Sequence, residues 1–302
     1  MSLDGGRASG PESTFVSAPD GLTLHVGTYG PRVRNDLPVV CLPGLTRTAA
    51  DFDELARTLA TDRQRPRRVL ALDSRGRGRS AHDRNPANYN LAVELADLLA
   101  VLTALDIGPA VFVGSSRGGI LTMLLGAARP AAIAGVVLND IGPVIEPKGL
   151  MRIKSYVGKL PRPKNLEEGA EILRRLFAAQ FPRLDQAAWL AYARRTWDER
   201  EGQMVLTYDG RIAKTLEGID IEQPLPTLWN EFDSLARVPL LVVRGANSDI
   251  LSAATVEAMR ARRSSMQAIV VPDQGHTPLL AEPALIRQIA AFVVACETSR
   301  QH

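Results

Sequence analysis

Short apolar runs alternate with helical patterns along this chain of 302 residues, and this alternation constrains the fold more than any other feature. From the second run onward the runs are apolar on both faces, as strands are when helices cover both sides of a parallel sheet. Segments between them, such as "NLAVELADLLAVLTALDI", space leucines at helical intervals. The sequence therefore predicts an α/β fold with a mostly parallel, roughly eight-stranded sheet and helices on both faces. The seven recognisable runs are residues 22–30, 37–44, 68–74, 110–115, 134–140, 238–245 and 266–273.

One long interval interrupts this rhythm. Residues 143–230 show no convincing strand pattern and contain helical pieces separated by prolines. Because the strand pattern resumes at residue 238, the simplest interpretation is a helical cap inserted into one α/β core. The core is then predicted to comprise residues 14–142 and 231–302. Residues 1–13 are small and polar, and we expect them to be disordered.

Composition indicates an ordinary globular chain, with 45% apolar and 23% charged residues. No segment is long and apolar enough to predict a membrane span, and the first residues do not resemble a secretory signal. The net charge is +3 and most basic residues are arginines, with the tightest run at residues 63–68. This run, "RQRPRR", is predicted to be a solvated loop, with a phosphate-binding patch as the alternative. We therefore expect neither a nucleic-acid nor a membrane partner.

The two cysteines indicate the compartment. Cys41 and Cys296 are far apart in the sequence, and each lies among apolar residues. This arrangement predicts free thiols in a reducing cytoplasm rather than a disulfide. We expect a cytoplasmic monomer or homodimer that acts on a small-molecule substrate.

The stretch "AVFVGSSRGGIL" carries the strongest chemical signal. Gly114, Ser116 and Gly118 form the pattern G-x-S-x-G between a strand pattern and a buried helix pattern. This is the setting of a nucleophile elbow, whose sharp turn needs small residues two positions before and after the nucleophile. Ser116 has glycine at both positions, whereas Ser115 has valine and arginine. We therefore predict Ser116 as the nucleophile and Ser115 as a spacer, with a phosphate-binding or purely structural turn as the alternative.

A serine hydroxyl needs an adjacent base, and the chain has four histidines. His276 lies in "VVPDQGHTPLL", directly after the last strand pattern, where open α/β sheets build their sites. His25 lies in the first strand pattern, His82 in a polar loop, and His302 at the C-terminal end. The sequence therefore predicts His276 as the base.

The base in turn needs a carboxylate that holds its tautomer and stabilises the imidazolium. Asp249 follows a strand pattern in "LLVVRGANSDILS" and lies between Ser116 and His276, which gives the chain order Ser, Asp, His. Asp140, in "VVLNDIGP" after the preceding strand pattern, is the alternative acid. We predict Asp249.

Acyl transfer also needs donors for the developing oxyanion. We predict the backbone N–H groups of Arg117, directly after the nucleophile, and of Leu45 in "CLPGLTRTAADF". Arg47 follows in the same loop, where it is a candidate to bind a substrate carboxylate or else a surface arginine at a helix start. The long side chain of Arg117 is unusual beside a nucleophile and has no explanation from sequence. This chemistry requires no metal and no organic cofactor.

With these residues in place, the chain resembles the α/β-hydrolase fold family from about residue 14 onward. The resemblance rests on "LPGLTRT", "LALDSRGRGRS", "GSSRGG", "GANSDILS" and "DQGH". It implies that residues 143–230 form a cap over the nucleophile. It also implies that Asp73 and Arg75, in the family's D-x-R-G-x-G-x-S loop, are structural supports rather than catalysts.

The chain departs from the family pattern beside the catalytic residues. Pro43-Gly44 stands where many members have His-Gly, and Ser115 and Arg117 flank the nucleophile where many have His and Met or Leu. These changes keep the backbone donors but weaken the transfer of any substrate name. A serine at position 116 also excludes the branches with an aspartate nucleophile, the haloalkane dehalogenases and soluble epoxide hydrolases.

The first functional hypothesis is a serine hydrolase that cleaves a small carboxylic ester or lactone through an acyl-enzyme. The same triad also suits C–C bond hydrolysis of a diketone or amide and aminopeptidase cleavage, and a slow-turnover ligand-binding receptor is a further alternative. An exopeptidase needs acidic residues near the nucleophile to hold the substrate amine. Glu167, Glu168 and Glu171 are candidates, but their spacing predicts a solvated helix face.

Overall fold

A single large sheet organises the protein. The computed structural model describes residues 10–32, 36–220 and 223–298. The strands within these ranges are β1 (Glu12–Ser17), β2 (Thr23–Tyr29), β3 (Val39–Leu42), β4 (Val69–Asp73), β5 (Ala110–Ser115), β6 (Ile133–Asn139), β7 (Trp197–Arg200), β8 (Gln203–Leu206), β9 (Leu240–Gly245) and β10 (Gln267–Val271). Eight of them form the sheet in the order β1-β2-β4-β3-β5-β6-β9-β10.

The strand directions agree with the apolar character of the runs. Neighbouring strands from β4 across to β10 are parallel, and β2 is antiparallel to both β1 and β4. Every residue of β3, β4, β5 and β6 is buried, as expected for strands covered on both faces. The predicted mostly parallel, eight-stranded sheet is confirmed.

Helices cover both faces of the sheet and divide the core in two. The helices are α1 (Asp53–Ala60), α2 (Leu91–Ala104), α3 (Arg117–Ala128), α4 (Pro147–Tyr156), α5 (Leu166–Phe177), α6 (Gln186–Arg194), α7 (Lys214–Glu217), α8 (Trp229–Asp233), α9 (Ala253–Arg262) and α10 (Pro283–Thr298). One apolar cluster joins the sheet to α2, α3, α8 and α9, and the other joins it to α1 and α10. Alternate residues of each buried strand enter opposite clusters because successive side chains point to opposite faces.

The first strand lacks an apolar pattern. In β1 only Val16 is buried, because this strand lies at the edge of the sheet and pairs with β2 alone. Sequence periodicity therefore misses it. The predicted disordered tail, residues 1–13, is wrong at its end because β1 begins at Glu12. Residues 1–9 lie outside the described residues.

The interval between β6 and β9 contributes no strand to the large sheet among the residues described there. It contains helices α4 to α8 and a two-stranded hairpin of β7 and β8, so the expectation of no strand in this interval is wrong. We call residues 143–230 the inserted segment; its boundaries remain a prediction. It has a small core of its own, in which Trp197 and Phe181 are each 2% exposed.

The basic run before β4 is not a solvated loop throughout. Arg67 is only 2% exposed and forms a two-pronged ion pair with Glu297 on α10, which Arg65 also contacts. This arginine therefore ties the start of β4 to the last helix, because a buried guanidinium must be paired to be tolerated. The expectation of a solvated loop is wrong for the last part of residues 63–68.

The two cysteines agree with the expectation of free thiols rather than a disulfide. Cys41 and Cys296 are both buried free thiols, and burial raises the pKa of Cys296 to about 12.

Across residues 10–32, 36–220 and 223–298, no helix has the length and apolar character needed to cross a bilayer. The cytoplasmic location remains a prediction.

Candidate active site

The turn from β5 into α3 presents Ser116 in a strained conformation. Its backbone φ is +51° and its ψ is −116°, in a region that residues with a Cβ rarely adopt. A Cβ on Gly114 would lie 2.6 Å from the carbonyl atoms of Gly118, and one on Gly118 would lie 2.0 Å from the Leu42 oxygen. Because both contacts are with backbone atoms, the turn accepts only glycine at these two positions. The structure thus explains the G-x-S-x-G pattern by steric contact.

The neighbouring Ser115 has a different environment. Its hydroxyl accepts a hydrogen bond from the side-chain amide of Asn139 at 2.9 Å, and the residue is buried. The same amide donates to the carbonyl of Pro278 at 3.1 Å. Ser115 therefore helps to tie β5 to the loop that carries His276. Its hydroxyl is separate from the Ser116 hydroxyl, as the glycine spacing predicts.

His276 lies within hydrogen-bond distance of both Ser116 and a carboxylate. Its Nε2 is 2.8 Å from Ser116 Oγ, and its Nδ1 is 2.8 Å from Asp140 Oδ2. Because an ionised carboxylate can only accept, Nδ1 carries the proton and Nε2 is free to accept the hydroxyl proton of Ser116. The backbone N–H of His276 also donates to the side chain of Gln180, in the inserted segment, at 3.2 Å.

The carboxylate at His276 is Asp140, not Asp249. Asp140 directly follows β6 and is fully buried. It accepts hydrogen bonds from the backbone of Gly245 at 2.7 Å and from the hydroxyl of Ser248 at 2.5 Å, in addition to His276. Three donors therefore hold this one buried carboxylate in place. The alternative acid, Asp140, therefore occupies the position beside His276 Nδ1 that was predicted for Asp249.

Asp249 instead links the core to the inserted segment. Both of its oxygens accept from Arg152 on α4, at 2.6 and 2.8 Å. Burial opposes ionisation of Asp249, but the Arg152 guanidinium outweighs it and lowers the pKa of the carboxyl below its usual value. The β9–α9 loop is packed against α4, where a Cβ on Gly149 would lie 2.3 Å from the Asp249 carbonyl oxygen. The prediction of Asp249 as the acid is therefore wrong on geometry, because Arg152 on α4 binds the Asp249 carboxylate.

The two residues predicted to supply oxyanion donors lie beside Ser116. Leu45 lines the cavity beside Gly44 and Ser116. Arg117 is the first residue of α3, so its backbone N–H has no acceptor within the helix. Within the described ranges, the Leu45 N–H likewise makes no hydrogen bond. Both N–H groups are therefore available to a substrate oxygen, although their role stays a prediction.

The Arg117 side chain points to a structural partner. Its Nε donates to Glu94 on α2 at 2.7 Å, and its Nη2 donates to the carbonyl of Tyr89 at 3.2 Å. These contacts join the start of α3 to α2. The structure thus accounts for a residue that the sequence left unexplained.

A small cavity opens above Ser116 and His276. It has a volume of about 70 Å³. The inserted segment supplies about half of the residues that line it, and most of these are apolar or aromatic. The inserted-segment residues that line it are Ile153, Tyr156, Leu160, Leu173, Phe177, Tyr192, Thr196 and Tyr208.

Arg47 lines this cavity and is firmly held. Its guanidinium donates to both oxygens of Asp51 at 2.6 Å and to the hydroxyl of Thr196 at 3.1 Å. It also stacks over the ring of Tyr192, 4.6 Å from the ring centre. Arg195 approaches the same Asp51 at 3.2 Å, so two arginines share one carboxylate. The cluster therefore keeps one positive charge in excess, and Arg47 is not a free surface arginine.

The loop after β4 supports the site from below. Asp73 accepts from His25 and from the backbone of Ala49, both at 2.7 Å. Arg75 is 1% exposed and pairs with Asp97 on α2 at 2.6 Å from each of two nitrogens. Neither residue lines the cavity, in agreement with the structural role that the family resemblance implies.

The other histidines that the structure describes lie apart from Ser116 and His276. His25 is bound to Asp73, and His82 is half exposed at 3.8 Å from Asp209. His302 lies outside the described residues. Among the residues that the structure describes, no group of three or more His, Cys, Asp or Glu side chains is arranged to hold a metal ion.

Comparison with known proteins places the chain. A family model described as "Alpha/beta hydrolase family" matches residues 39–289. A 3-hydroxybutyrate-oligomer hydrolase from Cupriavidus necator is 32% identical over 295 residues, which cover 92% of this chain and 96% of that protein. A 2-(acetamidomethylene)succinate hydrolase from Mesorhizobium japonicum is 25% identical over 83% of this chain and 86% of that one.

Solved structures agree. The crystal structure of an alpha/beta hydrolase from Novosphingobium aromaticivorans superposes with a TM-score of 0.88 and 41% identity, covering 96% of this chain and 99% of that chain. The family match spans most of the chain and includes the strands from β3 to β10, the elbow and the histidine loop. The chain therefore belongs to the alpha/beta hydrolase family.

Proposed function

We propose that this hydrolase cleaves carboxylic esters of small, carboxylate-bearing molecules through a covalent acyl-enzyme. The observation that carries the proposal is the hydrogen-bonded series Ser116–His276–Asp140 at the base of a small cavity whose wall contains Arg47. A serine activated by a neutral imidazole is the standard nucleophile for acyl transfer, and the buried carboxylate stabilises the imidazolium that forms.

The reaction follows from these positions. Ser116 Oγ attacks the ester carbonyl while His276 Nε2 takes its proton, and the N–H groups of Leu45 and Arg117 stabilise the oxyanion. Collapse of the tetrahedral intermediate breaks the ester C–O bond, and His276 returns the proton to the leaving alcohol. His276 then deprotonates a water molecule that attacks the acyl-enzyme, which releases the acid and restores Ser116.

The cavity favours a short acyl group. A cavity of about 150 Å³ holds a molecule of the size of benzene. At about 70 Å³, the space above Ser116 suits an acyl chain of roughly three to four carbons. The relative from Cupriavidus necator is named for oligomers of 3-hydroxybutyrate, which is a four-carbon hydroxy acid. We therefore propose short linear oligoesters of 3-hydroxy acids as the leading substrate class.

Arg47 is proposed to bind the free carboxylate of such a substrate. A Cβ on Gly44 would lie 3.4 Å from Arg47 Cγ and 3.6 Å from Ser116 Cβ, so the stem of this arginine starts beside the nucleophile. Asp51 and Thr196 occupy three N–H groups of the guanidinium. The other two remain for a ligand, since arginine has five donors. The names of both relatives reported above also denote carboxylate compounds.

Replacing Arg47 by glutamine should raise the KM for an anionic ester by roughly 10- to 100-fold, because a charge-assisted hydrogen bond contributes about 1.5–3 kcal/mol. The KM for the neutral methyl ester of the same compound should change by less than about threefold. Steady-state kinetics on the two esters measure the difference. Arg195→Gln is the matched control, since Arg195 shares Asp51 but does not line the cavity over Ser116. An equal effect of R47Q on both esters would contradict carboxylate binding.

Amine recognition is not supported. Glu167 and Glu168 on α5 are exposed, and Glu171 is paired with Arg174 and Arg175 on the same helix. None of the three lines the cavity over Ser116. Asp51 does line the cavity, but its carboxylate is paired with Arg47 and Arg195. The aminopeptidase alternative is therefore less well supported than ester cleavage.

A substrate panel tests the proposal. Purified protein is incubated at neutral pH with the dimer and trimer of 3-hydroxybutyrate, phenyl acetate, a lactone, a β-diketone and an aminoacyl amide. Ser116→Ala serves as the blank. Release of 3-hydroxybutyrate and turnover of phenyl acetate, both dependent on Ser116, are the expected results. Turnover confined to the diketone or the amide would overturn ester hydrolysis, and binding without turnover of any compound would favour a receptor.

A further inference from the structure

A buried series of ion pairs joins the two candidate oxyanion residues. The carbonyl of Leu45 accepts a hydrogen bond from Arg77 Nε at 2.8 Å. Arg77 Nη1 donates to Glu94 Oε1 at 2.8 Å, and Arg117 Nε donates to Glu94 Oε2 at 2.7 Å. One carboxylate on α2 thus bridges two arginines, of which one holds Leu45 and the other is the residue after the nucleophile.

The bridge lies in the interior of the protein. Arg77 is fully buried, Glu94 is 3% exposed, and the Arg117 side chain is 15% exposed. Burial opposes ionisation of Glu94, but the guanidiniums of Arg77 and Arg117 lower the pKa of its carboxyl below the usual value. Glu94 is therefore a carboxylate at neutral pH, and its hydrogen bonds are strengthened by the low local dielectric.

Additional contacts leave the bridge little freedom. Arg77 Nη1 also donates to the carbonyl of Arg75 at 2.7 Å, and Arg117 Nη2 donates to the carbonyl of Tyr89. The guanidinium plane of each arginine is thus fixed by backbone atoms as well as by Glu94. Because the donor fork of arginine is rigid, a shift of Glu94 would move the first turn of α3 relative to the Leu45 loop.

We propose that Glu94 is a positioning residue for the oxyanion hole, which sets the spacing between the N–H groups of Leu45 and Arg117. The inference rests on the proposed acyl-transfer function, because only that chemistry uses the two N–H groups together. Glu94 contacts no substrate in this account. It acts through the two arginines, and its effect falls on the transition state because the oxyanion forms only there.

The test is Glu94→Gln, which keeps the side-chain shape but removes the charge that holds both arginines. We expect kcat for phenyl acetate to fall by about 10- to 100-fold, with KM within about threefold, since loss of one whole oxyanion donor costs about 100- to 1,000-fold. Phenyl thionoacetate, in which sulfur replaces the carbonyl oxygen, is the second substrate. Sulfur accepts hydrogen bonds weakly, so E94Q should lower the rate on the oxygen ester more than the rate on the sulfur ester.

Asp97→Asn is the matched control. Asp97 lies one turn further along α2 and is 5% exposed. Its two oxygens both accept from Arg75, and among the described hydrogen bonds it has none with Arg77 or Arg117. We expect D97N to lower the melting temperature about as much as E94Q does. The ratio of the rate on the oxygen ester to the rate on the sulfur ester should stay within about twofold of the wild-type ratio. If E94Q does not fold, Arg117→Met removes the ion pair with Glu94 at its more exposed end. This variant should likewise lower the rate on the oxygen ester more than the rate on the sulfur ester.

Two outcomes overturn the inference. If E94Q changes kcat no more than D97N does, or lowers the rates on both esters equally, Glu94 has a structural role only. Either result is distinct from failure of the proposed function, in which the wild-type protein itself shows no turnover of phenyl acetate or the dimer of 3-hydroxybutyrate that depends on Ser116.

Discussion

Replacing Ser116 by alanine should lower kcat for ester hydrolysis by roughly 10⁶-fold, while Ser115→Ala keeps activity within about tenfold of the wild type. The two hydroxyls belong to consecutive residues, yet only that of Ser116 lies 2.8 Å from His276 Nε2. Without Ser116 no covalent intermediate forms, and the remaining rate reflects binding and the oxyanion donors alone. Initial rates on phenyl acetate, with each protein's melting temperature, provide the measurement.

Ser115→Ala is a demanding control because Ser115 is buried and hydrogen-bonded. The substitution leaves the amide of Asn139 with the carbonyl of Pro278 as its remaining acceptor and should cost about 1–3 kcal/mol of stability. A stability loss with retained turnover separates packing from catalysis. Comparable loss of turnover in both variants would show that the elbow register assigned from the glycines is mistaken.

The position of Ser116 at the sharp turn was predictable because the constraint on it is local. The turn between β5 and α3 forces a left-handed conformation on Ser116, and Gly114 and Gly118 are needed within two residues of it. A requirement of this kind can be recognised from five consecutive residues of the sequence, 114–118. The same is true of the sheet, whose buried strands each show an uninterrupted apolar run, whereas the edge strand β1 shows none.

Which carboxylate lies at His276 was not predictable because the constraint on it is not local. Asp140 and Asp249 both follow strands, and both lie between Ser116 and His276 in the chain, so chain order fits either one. The difference arises from the inserted segment, whose Arg152 takes Asp249, while the β9–α9 loop turns Ser248 toward Asp140. A contact between a helix of the inserted segment and a core loop has no signature in either stretch of sequence.

The cavity wall was out of reach for a similar reason. Helices α4, α5 and α6 are short, and their lining side chains meet only after packing around Trp197. The sequence pointed to Arg47 but not to its partners Asp51, Thr196 and Tyr192, which come from two separate parts of the chain. The charge in excess at this cluster, which bears on substrate choice, is a property of the folded protein.

Replacing Asp140 by asparagine should lower kcat by about 10⁴-fold, whereas Asp249→Asn should change kcat by less than about tenfold. Asparagine at position 140 can turn its amide toward His276 Nδ1 and favour the wrong tautomer, so that Nε2 carries a proton and cannot accept from Ser116. Asparagine at position 249 chiefly weakens the pair with Arg152 and leaves Asp140 at His276. The expected cost is a lower melting temperature, as one charge-assisted contact between core and inserted segment is weakened.

Pre-steady-state acylation by phenyl acetate distinguishes the two aspartates most directly, because the burst of phenol reports the attack step itself. D140N should lose the burst, and D249N should retain it with an unchanged amplitude. The reverse result would mean that the β9–α9 loop moves Asp249 to His276 during catalysis and that the position after β9 holds the acid. The expected result would mean that Asp140 is the catalytic carboxylate, held in place by Gly245 and Ser248 at the end of β9 and in the loop after it. Asp249 then anchors the inserted segment through Arg152.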